Sequence, residues 1–124
     1  MSDAVEAAKT QIDEMVKATP VVLFMKGTKS MPQCGFSSRV AGVLNYMGVD
    51  YTDVNVLADD AVRQGIKDYS DWPTIPQLYV QGEFVGGCDI ITEMTLSSEL
   101  DQLFEANGVA FDKDAADKIR EANG

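Results

Sequence analysis

Five consecutive apolar residues, Val21-Val22-Leu23-Phe24-Met25, stand between Pro20 and Lys26-Gly27. A run of strand length without alternation fits a strand covered on both faces, so the sheet it enters needs helices on each side. The flanking sequence supplies them. Upstream, Asp3 and Glu6 form a capping-box-like start, and Val5, Ala8, Ile12 and Met15 follow at helical spacing up to Thr19-Pro20. Downstream comes a loop, Lys26 to Gln33. A second helix begins after Cys34, with Phe36, Val40, Val43, Leu44 and Met47 on one face and Gly48 as its stop.

Tyr51 to Val56 reads as a second strand, and Asp59 or Asp60 caps a third helix carrying Val62, Ile66 and Tyr69. Trp72-Pro73-Thr74-Ile75-Pro76 is interrupted by two prolines and cannot be regular. It opens onto a hairpin, residues 77–80 and 83–85 around Gln81-Gly82. Gly86-Gly87 ends that hairpin, Asp89 is expected to cap a short helix from Ile90, and another helix runs from about Ser98 to Ala106. The order predicts an α/β fold, a mixed four-stranded sheet flanked by helices, in one domain over residues 1–108. Residues 109–124, with a weak helical stretch from Asp114 to Ala122, read as an acidic C-terminal tail, weakly helical or disordered.

Composition narrows the chemistry. Twenty acidic against ten basic residues give a formal charge of -10, which disfavours nucleic acid and anionic membranes as partners. No segment approaches the ~20 apolar residues of a membrane span. The N-terminus lacks the pattern of a secretory signal, so a cytoplasmic setting is expected. Histidine is absent, which removes His-based acid–base catalysis, a Cys-His dyad and His metal ligands. Two cysteines, Cys34 and Cys88, do not make a disulfide scaffold. Cys34 stands at a helix start, where free N–H groups and the dipole stabilise a thiolate, and Lys26 adds a cation on the same edge. It is placed to be a nucleophile or a soft-metal ligand.

Four ordered blocks carry a resemblance: Lys26-Gly27; Pro32-x-Cys34-Gly35-Phe36-Ser37; Trp72-Pro73-Thr74-Ile75-Pro76-Gln77; and Gly86-Gly87-Cys88-Asp89. Over roughly residues 3–108 the chain resembles the monothiol glutaredoxins of the CGFS class, of the single-domain, bacterial or organellar type. The resemblance implies a thioredoxin-like fold and a glutathione groove beside Cys34, Gly35 and Phe36. Lys26, aided by Arg63, would meet the glycine carboxylate of glutathione. Thr74 and Ile75 would lie along the tripeptide with Pro76 as a cis proline, and Cys88 and Asp89 would hold the γ-glutamyl end.

Ser37 excludes an internal disulfide within the turn, whereas closure of Cys34 on Cys88 stays open. A [2Fe–2S] cluster needs four ligands, generally thiolates. One chain offers one, so two chains with two glutathiones reach the count, which is the arrangement the resemblance implies for a cluster-bound homodimer. It also implies pairing with BolA-like proteins and exchange with iron-sulfur assembly machinery and apo acceptors. The expectation is a [2Fe–2S] carrier. The alternatives are a glutathione-dependent thiol–disulfide oxidoreductase working through Cys34, and a regulatory module in which the cluster is a sensor.

Overall fold

The apolar run becomes β1 (Val21–Met25), buried at every position, in a computed structural model that describes residues 3–123. Its side chains divide by parity, as a strand requires. Val21, Leu23 and Met25 pack with Val40, Leu44 and Met47 from α2 (Gly35–Tyr46) and its end, Ile91 from α4 (Cys88–Ser97), and Leu100 and Phe104 from α5 (Glu99–Ala106). Val22 and Phe24 pack on the other face with Ile12 and Val16 from α1 (Asp3–Ala18) and Ile66 from α3 (Asp60–Ser70). The uniform run is therefore the seam of two cores.

Around β1 the sheet has the order β2-β1-β3-β4. β2 (Thr52–Asn55) runs parallel to β1, with Leu23 opposite Asp53. β3 (Gln77–Val80) runs antiparallel, with Leu23 opposite Leu78, and pairs with β4 (Glu83–Gly86). Gln81 (φ 50°) and Gly82 (φ 83°) make the hairpin turn, in the left-handed conformation that suits the twist of two strands. This mixed four-stranded sheet with helices on both faces is the arrangement expected from the order of elements and from the resemblance. The second strand is shorter than the 51–56 expected, because Val56–Ala58 turns into a 3-10 helix under the Asn55 side chain.

Two expectations are corrected. Asp89 does not cap its helix: α4 already begins at Cys88, behind Gly87 in extended conformation, which leaves Asp89 as an acid in the first turn. Nor is the stretch after Gly108 the weakly helical or disordered tail expected. α6 (Lys113–Asn123) is a regular helix whose Ala115 and Ala116 are buried. The Phe111 ring packs at 5.8 Å from Phe104, and Asp112 N–H donates to Met47 O at 2.7 Å. Arg120 then grips Asp101, which is 2% exposed: Nη1 donates to Oδ1 at 3.2 Å and Nη2 to Oδ2 at 3.0 Å. A buried carboxylate needs such a partner, and that need holds the helix down.

Candidate functional site

The C-terminal end of β1 delivers the chain to Lys26, and the loop to Gln33 folds back on it. Thr28 and Met31 close a turn through backbone bonds of 3.2 and 3.1 Å, while Gln33 N–H donates to Lys26 O at 2.9 Å. Gly27 (φ 92°) is required here, because a Cβ would lie 2.6 Å from both Gln33 N and Met31 O. Side chains of β2 pin the loop: Asn55 Oδ1 accepts from Gly27 N–H at 2.9 Å and Asp53 Oδ2 from Lys29 N–H at 2.8 Å. The Lys29 ammonium lies 4.3 Å from the centre of the Tyr51 ring. A segment that reads as loose in sequence is thus a built element that carries Cys34 to a fixed place.

Cys34 is the N-cap residue of α2, in extended conformation (φ −147°, ψ 137°), and its thiol is half-buried. Its pKa is lowered from the ordinary 9.0. The Ser37 N–H is the largest cause; burial opposes it, and the Phe36 N–H, the Lys26 charge and the Ser37 hydroxyl add to the lowering. The helix start is therefore the main source of the thiolate, and the lysine a lesser one. Cys88 is the other free thiol, and it is buried.

Beside this thiol runs a groove lined by Phe36, Trp72, Thr74, Ile75, Pro76, Gly87, Cys88, Asp89 and Ile90. The Ile75–Pro76 bond is cis. Gly87 lets two segments meet, since a Cβ there would stand 3.3 Å from Pro76 O. Of the residues singled out from sequence, Phe36, Thr74, Ile75, Pro76, Cys88 and Asp89 are thereby brought together. Cys34 and Lys26 stand together at the neighbouring helix start, and Gly35 is exposed in the first turn of α2. Arg63 is half-buried in the first turn of α3 and does not belong to the groove lining.

Ile90 is a lining residue that sequence reasoning missed. Its signal was an apolar residue, 38% exposed, directly after the acid of a helix first turn. Phe36, another apolar residue of the lining, is 63% exposed. Asp89 contributes the only carboxylate of the lining. Among the described residues no three His, Cys, Asp or Glu side chains cluster as a metal site would require. No helix among them is long and apolar enough to cross a membrane.

A central strand buried on both faces, one accessible thiol at the following helix start and a cis proline beside it define a thioredoxin-like protein with a single reactive cysteine. The glutaredoxin family profile matches residues 21–85. A ycf64-like monothiol glutaredoxin of Synechocystis sp. is 56% identical over 97 residues, which cover 78% of this chain and 91% of that protein. The chain belongs to the glutaredoxin family, among its monothiol members. Reduced apo GrxS14 from poplar superposes with a TM-score of 0.73 at 48% identity, over 86% of this chain and 97% of that one. A buckwheat glutaredoxin solved in complex with glutathione shares the fold, with a TM-score of 0.76 at 22% identity over 87% of this chain and 96% of that one.

Proposed function

We propose that this monothiol glutaredoxin is a glutathione-dependent carrier of [2Fe–2S] clusters, the cargo bridging two copies of the chain through their Cys34 thiolates and two glutathiones. The observation that carries the reading is the donor count. One half-exposed thiol with a lowered pKa stands two residues before Phe36 of the groove lining, the second thiol is buried, Ser37 replaces a partner in the turn, and histidine is absent. That donor set fits a shared cluster and does not fit one closed within a single chain.

Charges in and around the groove support the glutathione half of the proposal. Lys26 stands by the thiol to meet a carboxylate, with Arg63 as a further candidate, and Asp89 at the α4 start meets the ammonium of the γ-glutamyl end. The edge at Thr74 to Pro76 is shaped for an extended tripeptide. Glutathione has no covalent tie to the chain, being held by the groove and by the iron it ligates, so it leaves with the cluster, which suits delivery rather than permanent storage. Assembly machinery as donor, apo iron-sulfur proteins as acceptors, a BolA-like protein replacing one chain, and a cytoplasmic setting belong to the same proposal.

Anaerobic reconstitution with iron, sulfide and glutathione tests it. The expected product is a coloured dimer that reverts to a colourless monomer on cluster loss. Cluster formation that survives Cys34→Ser, or that needs no glutathione, would overturn the ligation. The lowered pKa also favours a second reading as an oxidoreductase. There the Cys34 thiolate attacks the glutathione sulfur of a mixed disulfide and releases the substrate thiol. A second glutathione thiolate then frees Cys34 as glutathione disulfide leaves. Rapid turnover of a glutathionylated peptide would favour that reading.

A further inference from the structure

Ser37 stands where a dithiol turn would carry its second cysteine, yet it is fully buried. A buried hydroxyl needs partners, and this one has a telling one. Ser37 Oγ accepts the backbone N–H of Lys26, the first residue past β1, at 3.0 Å. The carbonyl of Lys26 is held by Gln33 N–H at 2.9 Å, and the next N–H, of Gly27, by Asn55 Oδ1 at 2.9 Å. The peptide frame of Lys26 is therefore fixed from α2, from the loop and from β2. Of these three bonds, the one from Ser37 ties the lysine to the helix that begins at the reactive thiol.

We propose that Ser37 is a positioning residue: its hydroxyl clamps the Lys26 backbone to the first turn of α2 and so sets where the lysine ammonium meets glutathione beside Cys34. The inference rests on the proposed pairing of Lys26 with a glutathione carboxylate. A cysteine at this position would be a weaker acceptor with a longer bond and would loosen the clamp. The serine of the turn is thus a working part of the site, beyond being the absence of a resolving thiol.

A double-mutant cycle tests the proposal, in a Cys34→Ser background that removes thiol chemistry. Glutathione binding is read from the fluorescence of Trp72, the single tryptophan, which lines the groove. Lys26→Ala should weaken binding about tenfold or more, as the loss of a charge-assisted bond would. Ser37→Ala should weaken it about two- to tenfold, and Ser37→Cys similarly, since neither restores the acceptor. In the Lys26→Ala background the Ser37 effect should vanish, which a merely structural role would not produce.

If Lys26→Ala changes nothing, the pairing fails and the proposal with it. If Lys26→Ala weakens binding while Ser37→Ala does not, or if the two effects simply add, the clamp alone is overturned. Hydrogen exchange gives a second measurement that needs no ligand: the Lys26 amide should exchange faster in Ser37→Ala or Ser37→Cys. An amide equally protected in both variants also overturns the clamp.

Discussion

The C-terminal side of the molecule and the thiol end use the same kinds of charge in opposite ways. Behind α4 and α5, Asp101 is buried and Arg120 meets it with two nitrogens, while Lys113 and Asp117 complete the set from α6. At the thiol end, neither Lys26 nor Asp89 enters an ion pair among the described residues. Cys34 is half-buried with a lowered pKa. One cluster is closed on itself and contributes stability. The other leaves an anion, a cation and a thiolate source without partners in an ion pair among the described residues, and under the proposed function it contributes recognition. Substitutions should separate along that line.

The largest expected effect is at the open end. Cys34→Ser should abolish the reconstituted cluster's absorbance and the cluster-dependent dimer, yet shift stability within about 0.5 kcal/mol, as for a replacement outside the packed core. Thermal melts of the apo forms check the second half; a large loss of stability would mean that the thiol end also carries the fold. At the closed end the pattern inverts. Arg120→Ala leaves the Asp101 carboxylate without its main partner. The expected loss is about 2–3 kcal/mol by denaturant titration, below a fully buried pair because Arg120 keeps 20% of its side chain exposed. Glutathione affinity should be unchanged, and a fall in it would break the separation.

Much of the open end was legible in the chain, and little of the closed one. The unbroken run 21–25 dictated a strand between two helical layers, and β1 is that strand. Cys34 was readable as a helix start because loop formers precede it and an apolar helical spacing follows. Asp101, by contrast, sits in Glu-Leu-Asp-Gln-Leu-Phe, where an acid between apolar residues reads as the wet face of a short helix. Its partner Arg120 lies 19 residues away on another helix, and no periodicity reports such a pairing. The start of α4 was misplaced for a local reason: Gly87 adopts the extended cap conformation itself, so the acid expected to cap falls inside the helix. Ser37 was read only as a missing thiol because burial of a hydroxyl depends on what the end of β1 brings against it.

The acidity of Cys34 gives a prediction with a definite sign. Its folded pKa lies below 9.0, chiefly through the Ser37 N–H. The midpoint of iodoacetamide alkylation of the apo protein against pH should therefore lie below that of a free thiol. By linkage, the thiolate contributes stability that is fully present above pH 9 and is lost as pH falls through the lowered pKa. Denaturation midpoints of the parent against Cys34→Ser over that range check the sign. A difference that shrinks as pH rises would show that the helix start does not favour the anion.

The smallest expected effect lies on the same carboxylate that makes Arg120 matter. Lys113 Nζ stands 3.5 Å from Asp101 Oδ2, but the lysine side chain is 60% exposed. Water and salt screen its charge, and holding a flexible chain in one rotamer opposes the gain. Lys113→Ala should cost about 0.5 kcal/mol or less, and the remainder should disappear in high salt. The Arg120 effect should persist there, since its fork donates to both oxygens of Asp101 and to Thr95 O at 3.1 Å. Equal costs for the two substitutions would mean that Asp101 responds only to the number of nearby cations. Unequal costs, surviving salt for arginine alone, would assign the docking of α6 to hydrogen-bond geometry in a dry pocket.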